Sequence, residues 1–193
     1  MKRLGFLAAA VLLSPAALYA DFNGTYVGLG FGTTQGNIEF EGDLGTGDFD
    51  FNDGTAISLF AGQNVSSGEL VYGYELGYSS ISDMFVPGAF GDDDELEDIF
   101  DLRGRLGYAV DDLLVYGALG YSFVNYVEPG VSDYSISGLS IGAGAELHLD
   151  GGFFVGGDYT MRMLEGDADD EDIDVDVTSS DVSTLAIRVG YSF

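Results

Sequence analysis

Apolar and polar residues alternate with a period of two along most of this chain, and the clearest case is its last segment. From Ser183 to Phe193, residues Leu185, Ile187, Val189, Tyr191 and Phe193 take every second position, with Ala186, Arg188, Gly190 and Ser192 between them. That period predicts a strand with one apolar and one polar face. Seven earlier segments share the pattern. Thr25, Val27, Leu29 and Phe31 oppose Tyr26, Gly28, Gly30 and Gly32. Ile57, Leu59 and Ala61 oppose Ser58, Phe60 and Gly62, and Tyr72, Tyr74, Leu76 and Tyr78 oppose Gly73, Glu75 and Gly77. In the fourth segment Phe100, Leu102, Leu106 and Tyr108 lie opposite Asp101, Arg103, Arg105 and Gly107. The fifth sets Leu113, Val115, Leu119, Tyr121 and Phe123 against Leu114, Tyr116, Ala118 and Gly120. The sixth sets Leu139, Ile141, Ala143, Ala145 and Leu147 against Gly142, Gly144, Glu146 and His148. The seventh sets Phe153, Val155, Tyr159 and Met161 against Gly156, Asp158 and Arg162.

Connections between these eight predicted strands alternate in length. Asn64 to Glu69, Ala109 to Asp112, and Asp150-Gly151-Gly152 are short; most of the others are long and acidic. Short turns at one rim and long loops at the other match the two faces of a transmembrane barrel. Pro87 and Pro129 both fall in loops, since proline cannot donate to a ladder. The fold class predicted is all-β, an eight-stranded antiparallel transmembrane up-and-down β-barrel. A soluble, lipocalin-like barrel would place apolar side chains inside and polar ones outside, the reverse of this pattern.

Composition adds a location. Met1-Lys2-Arg3, the apolar run Leu4 to Leu13 and the small-residue exit ending at Ala20 have the layout of a signal peptide over residues 1–20. The barrel domain is then residues 21–193, and its only basic residues are Arg103, Arg105, Arg162 and Arg188. Against 33 acidic residues they leave a net charge of 4 − 33 = −29. Such a balance argues against nucleic acid as a partner. The absence of cysteine excludes disulfides and thiolate metal sites. Charge also decides which face meets lipid. An arginine on the lipid face costs about 2–4 kcal/mol at the midplane, so four would cost roughly a domain's whole stability. The strand register turns all four inward and the tyrosine-rich apolar face outward.

Three stretches carry a family resemblance. Val71-Tyr-Gly-Tyr-Glu-Leu-Gly-Tyr78 resembles the third strand of the OmpA transmembrane domain. Leu102-Arg-Gly-Arg-Leu-Gly-Tyr108, followed by Asp111-Asp112-Leu113, resembles its fourth strand and turn, and Leu185 to Phe193 its eighth. The chain is similar throughout to small single-barrel outer-membrane proteins of the OmpA-like and opacity type. The resemblance implies an integral place in the bacterial outer membrane, contact with lipid and lipopolysaccharide, and an assembly signal at Tyr191 and Phe193 read by the barrel-assembly machinery. It also implies a charged lumen cluster, with Glu75, Arg105 and Glu146 at matching positions. Gly156 stands where the cluster's strand-seven arginine belongs, and Arg103, Arg188 or Arg162 are the substitutes. The lumen ion-pair network expected is Glu75, Arg103, Arg105, Glu146, Asp158 and Arg188.

The long loops hold most of the acid. Ile38, Phe40, Phe49 and Phe51 flank Gly42 to Gly47, which predicts that the first two strands continue as a hairpin above the bilayer. Asp172, Asp174 and Asp176 alternate with Ile173, Val175 and Val177, so the last strand is expected to project as well. Those three aspartates are candidate calcium ligands, but Val177 replaces the EF-hand glycine and Ser183 the final glutamate. No firm metal site and no cofactor is expected. His148, the only histidine, lies inward near a short turn with Asp150 two residues later, which makes no nucleophile pair. The expected role is that of a monomeric structural or surface-interaction protein of the adhesion or envelope-integrity kind, and not an enzyme. The alternatives are a narrow channel through the charged lumen and, third, a lipid hydrolase.

Overall fold

A computed structural model describes residues 22–42, 45–50, 53–82, 95–127, 134–165 and 175–193. The predicted signal peptide, Pro87, Pro129, Asp92 to Asp94, Asp172 and Asp174 lie outside these residues. The strands are β1 (Gly24–Gly42), β2 (Gly45–Asp50), β3 (Gly54–Ser67), β4 (Leu70–Ser82), β5 (Glu95–Val110), β6 (Leu113–Val127), β7 (Tyr134–His148), β8 (Phe153–Glu165) and β9 (Val175–Ser192). Eight of them, β1 and β3 to β9, pair antiparallel in chain order, and β9 pairs back onto β1 to close the barrel. The remaining strand, β2, is the returning arm of the predicted hairpin, paired with β1 from Asn37↔Asp50 to Gly42↔Gly45. β9 follows β1 just as far, to Gly42↔Val175, so the last strand does project.

The barrel's stagger can be read directly from the pairing. Starting at Tyr26, one passes through Gly62, Glu75, Arg103, Gly120, Ser140, Arg162 and Val182 and returns to β1 at Gly36, ten residues further along. With a rise of about 3.3 Å and a strand spacing of about 4.8 Å, this shear tilts the strands by about 41°. Leu113 to Phe123 then spans about 25 Å along the axis, the height of an outer-membrane apolar band.

Two turns are tighter than the residue pattern predicts. β3 runs on to Ser67 and meets β4 through Gly68-Glu69 alone, because the polar run from Asn64 still completes its ladder with Leu70 to Gly73. Gly68 and, in the Asp111-Asp112 turn, Asp111 take positive φ of 65° and 53°, as two-residue hairpin turns require.

Residue facing follows the alternation in all eight barrel strands. Leu29, Phe31, Leu119, Ile187 and Tyr74 are more than half exposed on the outside, whereas the four arginines are buried. Several outward tyrosines tie neighbouring strands at the ends of the band, as in Tyr78 Oη donating to Asp98 (2.8 Å), Tyr159 Oη to Ser183 (3.1 Å) and Tyr108 to Glu69. Ile187→Arg, an outward change, is expected to cost about 2–4 kcal/mol. Urea titration of the vesicle-inserted protein measures it, and an unchanged midpoint would mean that this face is not in hydrocarbon.

The interior is layered. At the periplasmic end Phe22 tucks into the mouth and packs with Val71, Leu114 and Tyr116. Above lie the rings of Tyr26, Phe60 and Phe154, then the charged layers. The outer end is apolar: Ala56 and Ile81, Ile99 and Val124, and then Ile136, Leu164 and Val182 form one buried cluster. Each comes from a different strand, and β1 contributes the buried Thr34 nearby. The sequence pattern assigns Ala56, Ile81, Ile99, Val124, Ile136, Leu164 and Val182 to neither face; the structure places them in this inward ring.

Candidate functional site: an ion-paired lumen

Every charged side chain of the described lumen is held by backbone position first. Glu75 and Arg103 face each other directly across β4 and β5. Gly73 lies opposite Arg105, Gly120 opposite Arg103, and Gly156 opposite both Glu146 and Arg188. Eight strands leave little room inside, so long side chains need partners without side chains. At Gly156 an added Cβ would run into the Ala145 carbonyl and Glu146 Cγ. The arginine that the OmpA-like pattern puts at this position has no space here.

Arg188 does that work from the adjoining strand. Its Nη2 donates to Glu75 Oε2 at 2.5 Å and lies 3.5 Å from Glu146 Oε1, while its Nη1 is 3.5 Å from Asp158 Oδ2. Glu75 is the hub. Arg103 donates to Oε1 through Nε (2.9 Å) and Nη2 (2.6 Å), Arg105 Nη1 to Oε2 (3.0 Å), and Tyr26 Oη to Oε2 (2.9 Å). Arg105 also reaches Glu146 (2.9 Å), and Arg103 reaches Asp158 (3.0 Å). Tyr116 Oη donates to Asp158 Oδ2 at 2.7 Å. Aromatic faces complete the shell: the Arg105 guanidinium sits 3.8 Å from the Tyr116 centroid and that of Arg188 sits 3.7 Å from Phe60.

The six residues predicted as a network thus stand together, three arginines against three carboxylates. Arg162, the other candidate substitute, does not join them. It pairs one layer outward with Asp101, through Nε (3.0 Å) and Nη2 (2.7 Å), and donates to Thr184 (2.9 Å). Ser122 donates to the same aspartate at 2.5 Å. Charge therefore balances in both layers, four against four, in a protein that is otherwise strongly acidic. Between the layers a cavity of about 40 Å³ remains, bordered by Ser79, Asp101, Arg103, Asp158, Arg162 and Arg188. It has room for roughly three water molecules.

Tyr26, Tyr116, Asp101 and Arg162 are site residues absent from the predicted network. The available signal was their inward parity among glycines and arginines. His148 packs between Phe22 (4.5 Å, edge-on) and Phe154 (5.2 Å, stacked), the surroundings of a structural ring. Tyr191 and Phe193 sit outside the periplasmic end, Tyr191 edge-on to both Phe153 (5.1 Å) and Phe193 (4.9 Å). Asp176 falls in β9 opposite Glu41, while the other two calcium candidates lie outside the described residues.

A closed barrel with apolar outside and paired charges inside has a counterpart among known families. The family model for the outer membrane protein beta-barrel domain matches residues 4–193. The chain belongs to this family. A 22 kDa outer membrane protein of Rhizobium leguminosarum bv. viciae is 30% identical over 193 residues, covering 93% of this chain and 82% of that protein. Among solved structures, Neisserial surface protein A aligns with a TM-score of 0.51 at 13% identity, covering 88% of this chain and 97% of the other. OprG from Pseudomonas aeruginosa aligns with a TM-score of 0.50 at 16% identity, covering 91% and 99%. These two likenesses concern the fold. Family and relative place this outer-membrane barrel protein in the bacterial outer membrane.

Proposed function

We propose that this barrel is a monomeric, non-conducting structural or surface-interaction protein that presents an acidic face outside the cell. One observation carries the reading: among the described residues, packed or ion-paired side chains occupy the lumen level after level. An aromatic mouth, two neutral ion-paired layers and an aliphatic ring follow one another, and the cavity between the charged layers holds about 40 Å³. A hydrated ion crossing this path would have to break several buried pairs, each worth roughly 3–5 kcal/mol when one partner is lost. What remains available for interaction is the projecting sheet of β2, β1 and β9. The reading assigns no catalysis, since His148 is engaged by aromatic rings at the periplasmic end.

Planar-bilayer recording tests it. The purified protein is expected to give no discrete conductance steps above background, and reproducible steps would replace the reading with that of a channel. The outer surface is proposed to attract divalent cations, which would bridge it to lipopolysaccharide. In the backbone register Glu39 stands opposite Asp48 and Glu41 opposite Asp176, which brings acidic positions together on the projecting sheet. Calorimetric titration with calcium is expected to show heat of binding, and a flat titration would end the cation proposal. Tyr191 and Phe193 are proposed as the contact for the assembly machinery.

A further inference from the structure

The outside of the barrel is not uniformly covered. Gln63, Tyr74, Gly104, Leu119 and Ile141 are partners in one row across β3 to β7, and Val65, Tyr72, Leu106, Gly117 and Ala143 form the next. Gly104 and Gly117 are diagonal neighbours, and Ala143 lies beside Gly117. With no side chain at Gly104 and Gly117, the rows border an open furrow of about 850 Å³ walled by Tyr72, Tyr74, Leu106, Leu119 and Ile141. Packing does not demand these glycines. A Cβ at Gly104 would come no closer than 3.8 Å to any other atom and one at Gly117 no closer than 3.9 Å, ordinary van der Waals contact. The inward glycines opposite the arginines are different, because added carbons there would collide with their neighbours.

Depth and chemistry specify the occupant. The furrow begins two residues above the periplasmic ends of β3 and β4, at Val65 and Tyr72, and climbs to Ile141, seven residues above the end of β7. At about 41° of tilt this is a path from roughly 5 to 17 Å above that rim, starting in the hydrocarbon of the inner leaflet and reaching the midplane. It is continuous with the apolar band that the family's outer-membrane location places in lipid. Its one amide side chain, Gln63, is held against the wall partway up. Tyr74 Oη donates to Gln63 Oε1 (3.2 Å), which leaves the Gln63 amide N–H groups to donate elsewhere. We propose that the furrow is a lipid-binding site: it seats one acyl chain of a periplasmic-leaflet phospholipid.

Native mass spectrometry from nanodiscs of dioleoylphosphatidylethanolamine tests the site. The wild-type barrel is expected to keep one phospholipid at collision energies that strip the rest. Gly104→Leu/Gly117→Leu fills the furrow and is expected to lower that retained fraction at least fivefold. Heat-modifiable gel mobility verifies that the variant is folded. Gly157→Leu is the control, since Gly157 is another outward glycine whose Cβ would come no closer than 3.9 Å to its surroundings but which lies outside the furrow; its retention is expected to equal that of the wild type. Equal retention by the filled variant overturns the proposal, as does equal loss in the Gly157 control. A wild-type dimer in place of the retained lipid, abolished by filling, also overturns it in favour of a second copy of the chain.

Discussion

Glu75→Ala is expected to destabilise the folded barrel by at least about 3–5 kcal/mol, the usual cost of removing one member of a buried pair. Three guanidiniums and the Tyr26 hydroxyl converge on this one carboxylate. Without it, Arg103, Arg105 and Arg188 face only Glu146 and Asp158, and one positive charge is left buried beside aromatic rings. The unheated gel mobility of vesicle-inserted protein across a urea series gives the unfolding midpoint. A second substitution distinguishes charge imbalance from simple loss of packing. Glu75→Ala/Arg188→Leu restores neutrality and is expected to recover part of the loss, a non-additivity that neighbours in one network show. A single variant within about 1 kcal/mol of the wild type, well below the expected cost, would mean that the lumen pairs are not held in this geometry.

Leu164→Ala in the outer aliphatic ring is expected to cost about 2–5 kcal/mol, the range for truncating a fully buried leucine. Leu164 is 1% exposed and packs with side chains from neighbouring strands. Conductance is expected to stay absent in this variant, because the Asp101–Arg162 and Glu75 layers beneath the ring are untouched. The same urea series and bilayer recording report both quantities. A stable variant that conducts would show that the ring, and not the charge layers, is the barrier.

These two predictions differ in how far the residue pattern foretells them. Strict alternation around Arg103, Arg105, Arg162 and Arg188, together with the cost of guanidinium in hydrocarbon, is enough to send all four arginines inward and to suggest Glu75 as a partner. Alternation is silent about stagger. Which inward residues share a layer depends on the ten-residue shear, a property of the closed ring that no single strand contains. Hence Arg162 and Asp101, far apart in sequence, pair with each other and not with the Glu75 cluster. The aliphatic ring escaped for a related reason. Ile81 and Ile136 sit between serines, and Ile99 and Val124 beside the outward Phe100 and Phe123, so near these strand ends polarity no longer separates the two faces. Phe22 precedes the first alternating position, so nothing in the periodicity directs it into the mouth.

The seam between β1 and β9 has a consequence for the order in which the molecule can be completed. Tyr26 meets Ser192, so the first strand stays an open edge until the chain's final residues arrive. Arg188 arrives with them. Until that moment the interior around Glu75 holds three carboxylates and two guanidiniums, an excess of one negative charge that the last strand cancels as it docks. A barrel without β9 therefore lacks both its closing ladder and its electrical balance, two separate physical differences from the closed one.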